Sequence, residues 1–191
     1  MGLYSRGVVL EDELERAVDA ARAHGMDGDV VSAVLPTEPE PGRRVYLCAF
    51  DGADGFRSWL AVDGEGRVVA DRAELRSAIS IAALCEVAAD AAGGGNLDDL
   101  VARLEELRSR EDPPGIADAV EAAEELRAVL GEPPQLASAS RLDAIGAATR
   151  RLEKELDPTG ASPFGTAMQA AQAAVAELQR EIEAGYRTEL S

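Results

Sequence analysis

The sequence predicts an α+β fold, predominantly helical, in which a small four-strand antiparallel meander is packed by helices and followed by an all-α C-terminal bundle. Three observations lead there. Apolar residues make up 46% of the 191 residues but aromatics only 4%, an alanine-rich composition that suits closely packed helices better than an all-β sandwich. Four β-prone runs lie together between residues 29 and 71, parted by Gly, Pro and Asp. Beyond Gly93 the chain keeps helical spacing, broken by orderly stop and start signals.

The first helix is expected from Leu10 to His24. Leu10, Leu14, Ala17, Val18 and Ala21 recur at three and four, and Gly25 stands where a C-cap glycine belongs. The strands are DVVSAVLP, RRVYLCAF, FRSWLAV and RVVAD, joined by TEPEPG, DGADG and DGEG. Pairing Phe50 with Phe56 sets Cys48 opposite Ser58 and Tyr46 opposite Leu60, on one face with Val62 and Val69. The other face collects Val45, Leu47, Ala49, Trp59, Ala61, Val68 and Ala70, with Arg57 at its edge. Both faces are apolar, whereas an antiparallel sheet ordinarily wets one, so the second face needs a cover.

Asp71 is placed to cap a long central helix, Arg72 to Ala92, whose polar residues beyond Ala78 are Ser80, Glu86 and Asp90 alone. Asn96 caps the next segment, and Asp112 with Pro113 forms the N-cap and first position of a third that ends at Leu130 before GEPP. Leu142, Ile145, Leu152 and Leu156, with Thr149 in the vacant position, form a seven-residue seam, and the same spacing recurs from Phe164 to Ile182. Joined by DPTGASP, the two predict an antiparallel helical hairpin over 138–187. The expected division is a sheet-containing domain at 1–92 and a helical region at 93–191.

Nineteen basic residues against 36 acidic leave a net charge of −17, spread along the whole chain. Such a surface repels phosphate backbones, so nucleic acid is not an expected partner, and the charge serves either solubility or a basic partner. No apolar stretch reaches membrane-spanning length without a charge, and Arg6 occupies the position where the myristoylation pattern needs Ser or Thr. Two cysteines have neither the density nor the spacing of a disulfide framework. A cytoplasmic protein with no membrane partner is expected.

The candidate sites divide by geometry. Asp51, Asp54, Asp63 and Glu65 are hard oxygen ligands, yet a strand from Phe56 to Val62 puts their two turns about 23 Å apart, which makes them turn residues and not one metal site. Cys48, Cys85 and His24 have no spacing that brings them together, and the cysteines read as small buried hydrophobes. Glu86 and Asp90, four apart, share a helix face and form either an acid pair or a solvated stripe. Gly93 to Gly95 precede a helix, but lack a lysine and introduce Asp98 and Asp99, which repel an anion.

No catalytic residue, metal or cofactor is assigned. The expected function is non-enzymatic: an acidic adaptor-type protein that binds a protein partner or a second copy of itself. Its candidate binding residues are Arg57, Trp59, Glu86 and Asp90. The alternative is a small-molecule sensor or enzyme whose pocket lies between sheet and helices near Arg57, Trp59 and Glu86.

Overall fold

The computed structural model describes residues 4–24, 30–52, 55, 57–93, 96–131, 135–157 and 162–185. Its elements run α1 (Tyr4–Ala23), β1 (Val30–Glu40), β2 (Arg43–Asp51), β3 (Arg57–Asp63), α2 (Arg72–Ala91), α3 (Leu97–Arg110), α4 (Ile116–Leu130), β4 (Ala137–Ser138), α5 (Ala139–Leu156) and α6 (Pro163–Gly185). The fold is α+β and mostly helical, as its alanine-rich periodicity predicts. The chain forms two compact units, neither of them one continuous stretch: Met1–Ala83 with Pro134–Ser138 and Ala176–Ser191, and Leu84–Pro133 with Ala139–Val175.

The first unit holds a four-stranded sheet in the order β3-β2-β1-β4. β1, β2 and β3 are the expected antiparallel meander. The fourth run, RVVAD, contributes only an isolated bridge from Val68 to Val62, because Asp63 turns the chain tightly. Its carboxylate accepts the backbone N–H of Glu65 and of Arg67, and its own N–H donates to the Arg67 carbonyl. The true fourth strand is β4, two residues from a segment expected to be helical, lying parallel to β1 with Thr37 opposite Ala137 and Glu38 opposite Ser138. The sheet is therefore mixed. A two-residue strand is too short to show alternation, so nothing local announces it.

Register departs from expectation by two residues. Phe50 pairs with Ser58, Cys48 with Leu60 and Tyr46 with Val62. Because side chains alternate with a period of two, an even slip leaves every residue of β2 and β3 on its expected face. Tyr46, Cys48, Phe50, Leu60 and Val62 form a core with Ala17 and Ala21 of α1, against which Leu14, Ala20, Val34 and Val68 pack. Val68 thus joins the Tyr46 face, contrary to expectation, since bridging sets it directly opposite Val62.

The second face is equally dry, for Val45, Leu47, Ala49, Trp59 and Ala61 are all buried. With α1 on the first face, the remaining helical segments of this unit are the first part of α2 and the last part of α6. α2 buries Leu75, Ala78, Ile79 and Ala82, one helical stripe, and its first turn is tied to the sheet by the ion pair of Glu74 with Arg43. Gln179 of α6 donates to Ser80 of α2 at 2.5 Å. Asp71 caps α2 as expected, accepting the Ala73 N–H at 2.8 Å.

In the second unit, α3, α4 and α5 share a core that includes Leu97, Val101, Leu104, Ile116, Leu126 and Leu152. Arg151 of α5 spans Glu121 and Glu125, one turn apart on α4. The α5 seam is accordingly divided: Ile145, with Leu142 beside it, meets Phe164 and Met168 of α6, while Leu152 meets α4 and Leu156 is 48% exposed. Two expected caps fail. Asn96 makes no side-chain cap hydrogen bond. Asp112 lies past the end of α3 at φ +41, and α4 begins at Ile116 behind Gly115, whose left-handed conformation suits glycine. The expected C-cap Gly25 lies outside the described residues.

Candidate functional site

Arg57 and Trp59 stand two residues apart on β3 and therefore on one face of its strand. Arg57 is exposed and its Nε lies 2.8 Å from Oδ1 of Asp51, its cross-strand neighbour. Trp59 is 4% exposed and pairs across the strand with Ala49. Its indole N–H is buried and has no hydrogen-bond acceptor among the described residues. The guanidinium is thus held by a carboxylate of the same hairpin, and the indole is sealed in packing.

Glu86 and Asp90 are exposed on the second half of α2, which belongs to the other unit. Four residues apart, they face the same way, toward solvent. Within each unit the structure brings together Arg57 with Trp59 and Glu86 with Asp90.

The acidic turns are engaged by arginine. Asp51 pairs with Arg57, and both Asp63 and Glu65 pair with Arg67 at 2.9 Å. Burial raises the Asp63 carboxyl, but the N–H groups of Arg67 and Glu65 and the Arg67 charge outweigh it and hold the group below its usual value. Asp54 lies outside the described residues. Among those residues no group of three or more His, Cys, Asp or Glu is placed to hold a metal ion.

Cys48 and Cys85 are free and buried. Burial pushes the Cys48 thiol up to about 12, far from the thiolate that nucleophilic chemistry requires. His24 is exposed at the end of α1. No helix among the described residues is long and apolar enough to cross a membrane.

One polar cluster has no sequence signal. Glu13 of α1 accepts hydrogen bonds from Arg44 and from the Tyr46 hydroxyl, at the rim of the apolar layer between helix and sheet. Partners more than thirty residues apart carry no local pattern. A second unsignalled contact is Glu153 of α5, which accepts the Phe164 N–H at 2.8 Å and the Ser162 hydroxyl at 2.6 Å and so caps α6. No family model, no curated protein and no solved structure matches the chain.

Proposed function

We propose that the chain is a non-enzymatic, acidic interaction protein of the adaptor type, whose partner is a protein segment carrying positive charge. The observation that carries this reading is the charge: 36 acidic residues against 19 basic, distributed over both units. Many of the arginines are already engaged within the chain, including Arg43, Arg44, Arg57, Arg67, Arg127 and Arg151, each beside a carboxylate. The acidic excess that remains is available to a cationic partner. Cytoplasmic residence and self-association belong to the same reading. Light scattering at micromolar concentration, with calorimetry against arginine-rich and arginine-free polypeptides, tests it. Salt-sensitive binding of the arginine-rich chain is expected; a strict monomer that binds neither would sink the proposal.

A second reading, a small-molecule sensor or enzyme, is favoured by one observation. The buried Trp59 N–H has no acceptor among the described residues, and buried donors are ordinarily hydrogen-bonded. Against it stand the burial of Trp59 and the engagement of Arg57 by Asp51.

A further inference from the structure

The apolar layer between α1 and the sheet is built from unequal sides. β2 buries six consecutive residues, Val45 to Phe50, and β3 buries five, Ser58 to Val62. Of the twelve residues from Asp12 to Ala23 in α1, the buried ones are Ala17 and Ala21. Together with Leu14 and Ala20 they face Tyr46, Cys48, Phe50, Leu60 and Val62. Three of those four helix residues are alanines, each offering one methyl group to a face of larger side chains. Around them Asp12, Glu15, Arg16, Asp19 and Arg22 are exposed.

α1 also takes no part in the strand ladders, for β1 pairs with β2 and β2 with β3 without it. Val45, Leu47, Ala49, Trp59 and Ala61 are buried on the opposite face of the sheet. Lifting α1 therefore breaks no ladder and opens one face alone. What fastens the helix is polar. Among the described residues, the charged and hydroxyl contacts between α1 and the sheet converge on Glu13, which accepts hydrogen bonds from Arg44 and from the Tyr46 hydroxyl. One turn further on, the Cys48 thiol lies 4.0 Å from the Ala17 carbonyl, beneath the helix.

A segment with few buried apolar side chains, resting on a layer that is held together independently, is the kind that opens ahead of global unfolding. We infer that α1 is a latched cover: from Asp12 to Ala23 it lifts from the sheet as a unit while β1, β2 and β3 stay paired, and Glu13 is the latch. The open form presents Tyr46, Cys48, Phe50, Leu60 and Val62 to solvent, and the closed form withholds them. This device goes beyond the reading of the protein as an acidic interaction module and stands without it.

Cys48 and the backbone amides report the two events separately. Labelling of the native protein with iodoacetamide, read at Cys48 by peptide mass mapping, is compared with hydrogen exchange of α1 and of the β2–β3 ladder, each as protection relative to the urea-unfolded chain. A lone helix of this length is marginal in water, so the α1 amides exchange once it lifts. Cys48 and the α1 amides should share one level of protection, at least about tenfold below that of the ladder amides. Glu13→Gln should lower Cys48 protection about fivefold to thirtyfold, because the latch is broken in the open form. Leu47→Val, on the opposite face, should lower ladder protection about twofold to tenfold and leave Cys48 unchanged, because its contacts survive the opening. Equal protection of Cys48 and the ladder in the wild type would overturn the cover, since α1 would then leave only as the sheet unfolds. So would Cys48 following the ladder in Leu47→Val, or α1 amides that exchange while Cys48 stays as protected as the ladder. Cys48 protection unchanged by Glu13→Gln would overturn the latch.

Discussion

The Tyr46 hydroxyl donates a 2.5 Å hydrogen bond to Glu13, joining β2 to the middle of α1 at the rim of an otherwise apolar layer. Burial raises the Glu13 carboxyl, but hydrogen bonds from Tyr46 and Arg44 and the charges of Arg44 and Arg16 outweigh it and leave the group below its usual value. A carboxyl held low in the folded state stabilises above its unfolded pKa and loses that contribution as pH falls through its folded one. In urea unfolding the wild type should exceed Glu13→Gln by about 1–2 kcal/mol at neutral pH, and the gap should close below about pH 4. A gap unchanged on acidification would show that the contact is not linked to Glu13 ionisation.

At alkaline pH the sign is the opposite. Burial, then hydrogen bonding to Glu13, pushes the Tyr46 phenol up to about 12. The stability held by the neutral phenol is complete below the unfolded value of about 10 and is lost as pH rises from there through the folded pKa. Tyr46→Phe should remove this alkaline dependence and keep the acidic one in part, through Arg44. Persistence of the full alkaline loss in Tyr46→Phe would assign it to another group.

The DGEG turn sits directly against α1. Gly66 has φ +79, and a Cβ added there would lie 3.0 Å from the Ala20 Cβ. Gly66→Ala should therefore cost about 1–3 kcal/mol, part from the left-handed backbone and part from the clash. Ala20→Gly in the same chain should recover the steric part only, giving a coupling of about 0.5 kcal/mol or more in a double-mutant cycle. Strict additivity would mean that the two residues do not press on each other.

What was legible in the sequence followed short-range periodicity. The α1 stripe at Leu14, Ala17 and Ala21 meets the sheet as its spacing implies, and the two faces of β2 and β3 survive a register slip because the slip is even. What escaped depends on distant partners. β4 is strand only because β1 lies beside it, and Glu13 is a polar fastener only because β2 brings Arg44 and Tyr46 to it. Asp112 resembles an N-cap by composition, yet it lies just past the α3 C-terminus, where its N–H and that of Glu111 share the Leu107 carbonyl. Of the candidate site, the burial of Trp59 follows from alternation, whereas the pairing of Arg57 with Asp51 needs the true register.

Gly146 offers a stabilising change within α5. An added Cβ would meet Arg150 Nη1 at 3.2 Å, the end of a flexible side chain, and Phe164 Cε1 at 3.6 Å, an ordinary contact. Alanine replaces the least favourable helix residue after proline, so Gly146→Ala should raise stability by about 0.5–1 kcal/mol, read as a higher thermal midpoint. A loss instead would mean that Arg150 has no room to move.

Trp59 and Arg57 separate a packing role from a binding role. Trp59 is the sole tryptophan, so its fluorescence reports one environment: blue-shifted and shielded from acrylamide if the second sheet face is sealed. Arg57→Ala breaks an exposed pair and should change stability by about 0.5 kcal/mol or less, leaving the emission unaltered. Trp59→Ala opens the core and should cost about 3–5 kcal/mol. Trp59→Phe keeps an aromatic ring while deleting the buried N–H that has no acceptor among the described residues, so its cost should be well below that of alanine. If a small molecule occupied this site, Arg57→Ala would abolish a ligand-induced change in Trp59 emission, and Trp59→Phe would weaken ligand binding with little effect on folding. Emission that is red-shifted and freely quenched would show an indole open to solvent, and the packing assignment would fall.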